Sequence, residues 1–181
     1  MKSWERIERR ALVDTPFLKV YSDKVRLPNG SLIDDYTVIK KRDIVTVVAT
    51  DTEGSVIAFE EYRYAIDQTL LTLPAGQIDG NETPTEAAAR ELLEETGYGG
   101  GTYELVDTLY EYPTKDFHTI TIVRAQGVSL KKAVEHEKTE NIGEVQLLSL
   151  GMIKERLVQG DWKSTSTIAA LVRALPELIT T

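Results

Sequence analysis

The chain has 181 residues, a length that predicts one domain with room for a small appendage. Hydrophobic residues make up 41% of the chain and charged residues 28%, which excludes a disordered chain and supplies a buried core. The formal net charge of −8 argues against binding long nucleic acids through a positive surface, although a metal cation could still join the chain to a phosphate ligand.

The first forty residues have the pattern of short antiparallel strands. Two stretches within residues 17–27 roughly alternate polar and apolar side chains, and Pro28-Asn29-Gly30 is a turn signal. Residues 31–40 then return as a strand. We therefore predict an N-terminal strand appendage over 1–40, followed by a main domain over 41–181.

The sequence of the main domain predicts a mixture of strands and helices. The polar stretch 131–143 is expected to be a mobile loop, because it lacks apolar periodicity. Two short amphipathic helices are expected at the C-terminal end, over 151–159 and 165–178. Strands are expected at 44–49, 55–59, 70–73, 103–112, 119–125 and 145–148.

One helix carries signals at both ends. Thr83 and Glu86 form a capping-box pattern, with Pro84 at the first helical position. Three alanines follow, and Gly97 stands where a left-handed residue ends a helix. The sequence therefore predicts a helix over residues 84–96.

Two absences in the composition bear on location and chemistry. The absence of cysteine excludes disulfides and thiol nucleophiles, and the two histidines are too few for a histidine-rich zinc site. The chain has no apolar run of 18 residues, and its first residues lack the apolar core of a signal peptide. We expect a cytoplasmic protein that does not contact a membrane.

Three carboxylates fall on one face of the predicted helix. At 100° per residue, Glu91, Glu94 and Glu95 occupy a sector of about 100°, next to Ala88 and Leu92 rather than opposite them. A solvated acidic face would explain the charges alone. Their position beside small apolar residues, after a glycine-bearing loop, favours instead a site of oxygen ligands suited to Mg²⁺ or Mn²⁺.

The spacing of these residues resembles the Nudix box, G-x5-E-x7-R-E-U-x-E-E-x-G-U, in which U is an apolar aliphatic residue. Gly76, Glu82, Arg90 and Gly97 fill its other fixed positions together with the three glutamates, over 23 residues. Tyr98 in the last apolar place is the one soft departure. A chance match of seven fixed positions at this spacing is improbable.

The resemblance implies an α/β (α+β) fold, with a mixed β-sheet sandwiched between helices and an N-terminal antiparallel strand appendage. It implies that Arg90 and Glu82 orient the metal-binding carboxylates. The implied reaction is the metal-dependent hydrolysis of a nucleoside diphosphate linked to another group. The metal ligands implied are Glu91, Glu94, Glu95 and the carbonyl of Ala75.

A wider resemblance reaches the ADP-ribose and nucleoside diphosphate-sugar pyrophosphatases. Glu61-Tyr62-Arg63, then Leu73-Pro74-Ala75-Gly76, is similar to their Q-Y-R…E-L-P-A-G segment, and Pro113 lies where they carry a proline. The strand-rich N-terminus is similar to the appendage through which such enzymes form homodimers. Thr72 in place of glutamate and Lys115-Asp116-Phe117-His118 in place of an acidic loop depart from the pattern, so the sugar and nucleotide stay open.

The general base and the substrate contacts are less sharply indicated. The loop before the last strand offers Glu140 as the first candidate for the base and Glu137 as the second, and either could be a solvated loop carboxylate. His136 has the pattern of a surface residue. Arg63 could clamp a phosphate or pair with a neighbouring glutamate. Tyr112 and Phe117 could stack on a base or ribose or pack at a strand end, and Trp4 could reach a nucleobase or pack in an interface. Pro113 is a further substrate-contact candidate on the resemblance alone.

Three functions follow from these patterns. The first is hydrolysis of ADP-ribose or a related sugar nucleotide such as GDP-mannose, giving a nucleoside monophosphate and a sugar phosphate. The second is a Nudix pyrophosphatase for a dinucleoside polyphosphate or a modified nucleoside triphosphate, since one fold hosts many substrates. The third is a non-catalytic nucleotide-binding module, which the intact box argues against.

Overall fold

The computed structural model describes residues 3–133 and 141–180 of the chain. It divides into two compact units. One comprises Met1–Asp43 and Tyr110–Thr119, and the other comprises Ile44–Leu109 and Ile120–Thr181. The segment Tyr110–Thr119 therefore joins the N-terminal unit, although it lies far along the chain.

The first unit is built on a three-stranded antiparallel sheet in the order β1 (Glu5–Asp14), β2 (Leu18–Arg26), β3 (Leu32–Lys41). The expected N-terminal antiparallel strands are confirmed. Across the first pair, the Arg9 guanidinium donates two hydrogen bonds to Asp23, at 2.8 and 2.7 Å. This bidentate geometry fixes the register as well as pairing the charges.

The segment Tyr110–Thr119 is held on β3 by backbone and charge contacts. The amide of Ile39 donates to the carbonyl of Lys115 at 2.7 Å. Lys41 Nζ lies 3.0 Å from the buried carboxylate of Asp116. The loop therefore belongs to the N-terminal unit. No local sequence pattern indicates this pairing between distant parts of the chain.

The second unit contains an eight-stranded mixed sheet with a central path β11-β5-β4-β10-β8. Strand β10 runs parallel to β4, and β11 and β7 pair antiparallel with β5 and β4. Strand β6 adds to β5, and β9 adds to β10. The strands are β4 (Ile44–Asp51), β5 (Val56–Arg63), β6 (Gln68–Thr72), β7 (Ala75–Gln77), β8 (Tyr98–Gly99), β9 (Thr102–Tyr110), β10 (Thr119–Leu130) and β11 (Gln146–Leu148).

The predicted helix over residues 84–96 is confirmed as α1 (Pro84–Thr96), with its capping box and with Gly97 in the left-handed region at φ 74°. The other described helices are α2 (Leu150–Gln159) and α3 (Thr165–Ala174). The predicted end of the last helix at residue 178 is wrong, because Pro176 cannot continue a helix and restricts the residue before it. Within the described part of the chain, no helix is long and apolar enough to span a membrane.

Two apolar clusters cover the two faces of the second unit's sheet, because alternate residues of each strand point to opposite faces. Helix α1 packs on one face through Ala88 and Leu92, together with Val47 of β4. Helices α2 and α3 pack on the other through Ile153 and Leu171, together with Val48 and Ile122. The predicted mixed sheet between helices is confirmed.

Replacing Thr83 by alanine is expected to lower the free energy of unfolding by about 1 kcal/mol, since the side chain caps the first turn of α1. Thr83→Ser keeps the hydroxyl and should stay close to the unaltered chain. Urea denaturation measures both. Equal losses in the two variants would contradict the capping role.

Candidate functional site

The acidic residues of α1 differ sharply in burial. Glu95 is only 9% exposed and the Glu91 side chain 13% exposed, whereas the Glu94 side chain is 55% exposed. The first two therefore lie on the side of α1 that packs toward the sheet. A fully solvated acidic face is excluded for this pair, because two carboxylates are withdrawn from water.

Glu95 is held by the backbone of β7. Its Oε2 accepts a hydrogen bond from the amide of Ala75 at 2.9 Å. Strand β7 is fixed in turn by antiparallel pairing with β4, where Thr46 lies opposite Ala75. The short strand and the helix thus meet at a carboxylate, at the residue whose carbonyl the resemblance implies as a metal ligand.

Glu91 lies against the next residue of β7. A Cβ atom placed on Gly76 would sit 2.0 Å from Glu91 Oε1 and 2.4 Å from its Oε2. Any side chain at this position would push the carboxylate away, so the close approach needs glycine. The glycine that opens the box pattern therefore has a steric reason to be there.

Arg90 joins the acidic residues to the loop before α1. Its guanidinium donates to Glu82 through Nε at 2.8 Å and through Nη2 at 2.9 Å, and to the carbonyl of Gln77 at 2.9 Å. Nη1 donates to Glu91 at 2.8 Å and to Glu94 at 3.2 Å. One planar cation therefore contacts three carboxylates, those of Glu82, Glu91 and Glu94.

These contacts and the burial of the site lower the pKa of Glu82 and raise the pKa values of Arg90 and Glu91. Hydrogen bonds from Arg90, and one from the amide of Asp79, lower the pKa of Glu82 to about 2. The same pairing raises the pKa of Arg90. Burial raises the pKa of Glu91 despite its bond to Arg90, and the charges of Glu94 and Asp79 add to the increase. The negative charge of Glu91 is therefore only partly balanced by the positive charge of Arg90.

The donor set suits a hard divalent cation, because it consists of carboxylate oxygens beside a backbone carbonyl. The raised pKa of Glu91 shows that its charged form would gain from a further cation. Among the described residues, no three acidic or histidine side chains are already converged as a metal site. Glu91 and Glu94 are instead hydrogen-bonded to Arg90. The residues fit a divalent ion through the chemistry of their oxygen atoms.

Arg63 lies at the end of β5 in the same unit. Its Nη2 is 2.7 Å from Glu61 Oε2, the neighbouring pairing that the sequence left open. It also lines a cavity of about 210 Å³, together with Ala75 and Gly76 of β7. Its assignment to a substrate phosphate stays a prediction.

The other predicted substrate contacts, Tyr112, Pro113, Phe117 and Trp4, belong to the first unit. Trp4 packs edge-on against Tyr36, with ring centroids 5.6 Å apart, and Lys40 Nζ lies 5.6 Å from the centre of the Phe117 ring. Tyr112 is 55% exposed. Their role toward substrate stays a prediction.

Both base candidates, Glu137 and Glu140, and also His136, lie outside the described residues. On the far side of that segment, the carbonyl of Asn141 accepts from the Tyr62 amide at 3.1 Å, and the Gly143 amide donates to the Glu60 carbonyl at 2.7 Å. The end of the expected loop is thus paired along β5. The base assignment stays a prediction.

Sequence reasoning missed the polar residues that gather around β7 from other elements. Thr46 of β4 and Ser166 and Thr167 of α3 line the same cavity as Arg63. The Ser-Thr-Ser-Thr run over 164–167 signals a helix start, which the structure confirms with Ser164 as the cap. Nothing in that local pattern indicates which part of the sheet the helix faces.

Comparison with known proteins identifies two regions. The family model described as NUDIX domain matches residues 40–168, and the one described as nucleoside diphosphate sugar hydrolase N-terminal domain matches residues 4–39. Both the box and the N-terminal strands therefore have counterparts in known families.

Similar proteins cover most of the chain. An ADP-ribose pyrophosphatase of Bacillus subtilis is 28% identical over 152 residues, 81% of this chain and 82% of that protein. The methanol dehydrogenase activator of Bacillus methanolicus is 28% identical over 166 residues, 90% of this chain and 88% of that protein. A crystal structure of an ADP compounds hydrolase has a TM-score of 0.82, covering 99% of this chain and 96% of its own, and at 21% identity it shows a shared fold.

The pairing of Glu82 with Arg90 predicts an acid-dependent loss of stability. A carboxyl whose pKa falls from 4.5 to about 2 on folding stabilises the fold above pH 4.5, and that contribution disappears as pH falls toward 2. Glu82→Gln should therefore be less stable than the unaltered chain at pH 7, with the gap narrowing below pH 4.5. Urea denaturation between pH 7 and pH 3 measures this gap, and a constant gap would contradict the assignment.

Proposed function

Because the chain belongs to the Nudix family of hydrolases, we propose that it hydrolyses the pyrophosphate bond of ADP-ribose or a related nucleoside diphosphate sugar. Water would cleave the phosphorus–oxygen–phosphorus link, giving a nucleoside monophosphate and a sugar phosphate. The observation that supports this most directly is the pair of withdrawn carboxylates, Glu91 and Glu95, held against the backbone of Gly76 and Ala75.

Nudix hydrolases generally require a divalent metal ion, and we assign Mg²⁺ to this site, with Mn²⁺ as the alternative. The residues that would hold it are Glu91, Glu94 and Glu95 with the carbonyl of Ala75. When bound, such an ion supplies neutralisation of the phosphate oxygens and acidification of a water molecule. This matters in a chain of net charge −8, whose own carboxylates would repel a diphosphate.

The remaining residues of the box position these ligands. Arg90 and Glu82 hold the carboxylates and the loop in one geometry, which governs ligation as much as the ligands themselves do. We assign the proton-accepting role toward the attacking water to Glu140, with Glu137 second. Arg63 is assigned to a substrate phosphate, for which it would exchange its pairing with Glu61.

The choice of substrate rests on the relatives and on the N-terminal region. The similar Bacillus subtilis protein is named an ADP-ribose pyrophosphatase, and the N-terminal match is described as part of a nucleoside diphosphate sugar hydrolase. GDP-mannose is included as a related sugar nucleotide. Tyr112, Phe117 and Trp4 are assigned to the nucleoside side, where their aromatic faces would stack on a base or ribose. Pro113 is assigned to the substrate site as their neighbour in the chain.

We assign residues 1–40 to dimerisation and residues 41–181 to catalysis in a cytoplasmic homodimer. The first unit exposes several apolar side chains, among them Leu12 of β1 at 50% and Phe17, just before β2, at 70%. Exposed apolar side chains of this size are compatible with a protein interface, which supports the assignment. Sedimentation of the full chain tests the assignment, and a monomer at all concentrations would contradict it.

A product-resolved substrate panel tests the function. The purified full chain is incubated with Mg²⁺ and ADP-ribose, GDP-mannose, a dinucleoside polyphosphate and an oxidised nucleoside triphosphate. We expect kcat/KM to be highest for a nucleoside diphosphate sugar, with a monophosphate and a sugar phosphate as products. Preference for either of the other two substrates favours a different Nudix pyrophosphatase, and binding without turnover favours a non-catalytic module.

Glu95→Gln isolates the contribution of the carboxylate charge. The variant is expected to lose at least about a hundredfold in kcat while its melting temperature stays close to that of the unaltered chain, because the amide keeps the side chain's size. Glu86→Gln is the matched control on the same helix, since Glu86 faces the capping box rather than β7. Equal activity of the two variants would contradict the ligand assignment.

A further inference from the structure

The cavity beside β7 lies within the second unit and has a volume of about 210 Å³. Its lining residues include Ala75 and Gly76 of β7 and several hydroxyl-bearing residues of other elements. Those residues come from β4, β6 and the start of α3: Thr46, Thr72, Ser164, Ser166 and Thr167. The structure thus gathers five hydroxyl-bearing residues around one cavity.

Two of these hydroxyl groups have no hydrogen-bond partner among the described residues. Thr46 and Thr167 are each 2% exposed, and neither side chain forms a hydrogen bond with another described residue. By contrast, the hydroxyls of Ser164 and Ser166 bond to each other at 2.8 Å. A hydroxyl on a cavity wall without a protein partner can donate to and accept from a polar group placed inside, so Thr46 and Thr167 are available to a ligand.

The size and lining of the cavity narrow the chemistry of that partner. Pockets that bury a whole drug-sized ligand measure roughly 300–1,000 Å³, so this one has room for a fragment of a sugar nucleotide. Among the described residues that line it, none is aromatic and Arg63 is the one charged side chain, paired with Glu61. Neutral hydroxyls without an aromatic face suit a sugar better than a base.

The position of the cavity relates it to the proposed reaction. Ala75 and Gly76, which line it, are the residues whose backbone meets Glu95 and Glu91. The cavity and the carboxylates therefore share the strand β7, which suits a substrate whose diphosphate lies at the carboxylates and whose attached sugar enters the cavity. The nucleoside half, with its aromatic base, would extend elsewhere.

We propose that this cavity binds the sugar half of the substrate, and that the hydroxyls of Thr46 and Thr167 determine the selectivity for that sugar. The inference rests on the proposed hydrolysis of a nucleoside diphosphate sugar and adds the place where its sugar is recognised. Each of the two threonine hydroxyls would form a hydrogen bond with a hydroxyl of the sugar.

The test uses Thr46→Val and Thr167→Val, which remove a hydroxyl at nearly constant volume from two different elements. The substrate is the sugar nucleotide that the unaltered chain hydrolyses fastest, and each product half is used as an inhibitor. For ADP-ribose these halves are ribose 5-phosphate and AMP. Thr121→Val is the matched control, because Thr121 is a buried strand residue of the same unit that does not line the cavity.

Loss of one hydrogen bond to the sugar is expected to raise KM and the inhibition constant of the sugar phosphate by about three- to tenfold in each valine variant. The inhibition constant of the nucleoside monophosphate should stay unchanged. Thr46→Ser and Thr167→Ser restore the hydroxyl and should restore both constants, which a merely structural role of the side chains would not require. Thr121→Val should change none of them.

Two results would overturn the inference while leaving the proposed function in place. One is turnover with unchanged constants in both valine variants, as expected if the cavity holds only water. The other is an equal weakening of both product halves, which would indicate a general distortion of the site. Absence of turnover of every sugar nucleotide by the unaltered chain would contradict the proposed function itself, and the inference with it.

Discussion

The geometry of the acidic site depends on the hydrogen bonds of one guanidinium group. Arg90 binds Glu82 and the Gln77 carbonyl in the loop, and Glu91 and Glu94 on its own helix. A lysine could not make these contacts together, because its ammonium group lacks the planar array of five donors. The loop and α1 therefore keep one relative position, and the carboxylates that they carry keep theirs.

That position brings the helix close to the backbone of β7. The approach is possible because residue 76 is glycine, and it is anchored by the Ala75 amide bonded to Glu95. Burial raises the pKa of Glu91, so the fold keeps a carboxylate in surroundings that disfavour its charge. Such an arrangement is costly for stability alone, which is characteristic of a site maintained for binding or chemistry.

The sequence predicts best where the physics is local. Helix α1 begins and ends where its caps indicate, because a capping box, a proline and a left-handed glycine each act over a few residues. The inward position of Glu91 and Glu95 follows from helical periodicity next to Ala88 and Leu92. The end of α3 was misplaced because Pro176 outweighs the apolar pattern around it.

Prediction fails where contacts join distant parts of the chain. The segment Tyr110–Thr119 belongs to the first unit through its pairing with β3, more than seventy residues earlier. The hydroxyls around the cavity come from β4, β6 and α3, and no local pattern brings Thr46 near Thr167. The steric demand on Gly76 likewise appears only once Glu91 is placed beside it.

The central claim is that the carboxylates of α1 and the backbone of β7 together hold the divalent ion. Anomalous diffraction from crystals of the full chain soaked in Mn²⁺ tests it most directly, because the signal locates the ion without reference to activity. We expect an anomalous peak between Glu91, Glu95 and the Ala75 carbonyl. A peak remote from all three, or none at saturating Mn²⁺, would contradict it.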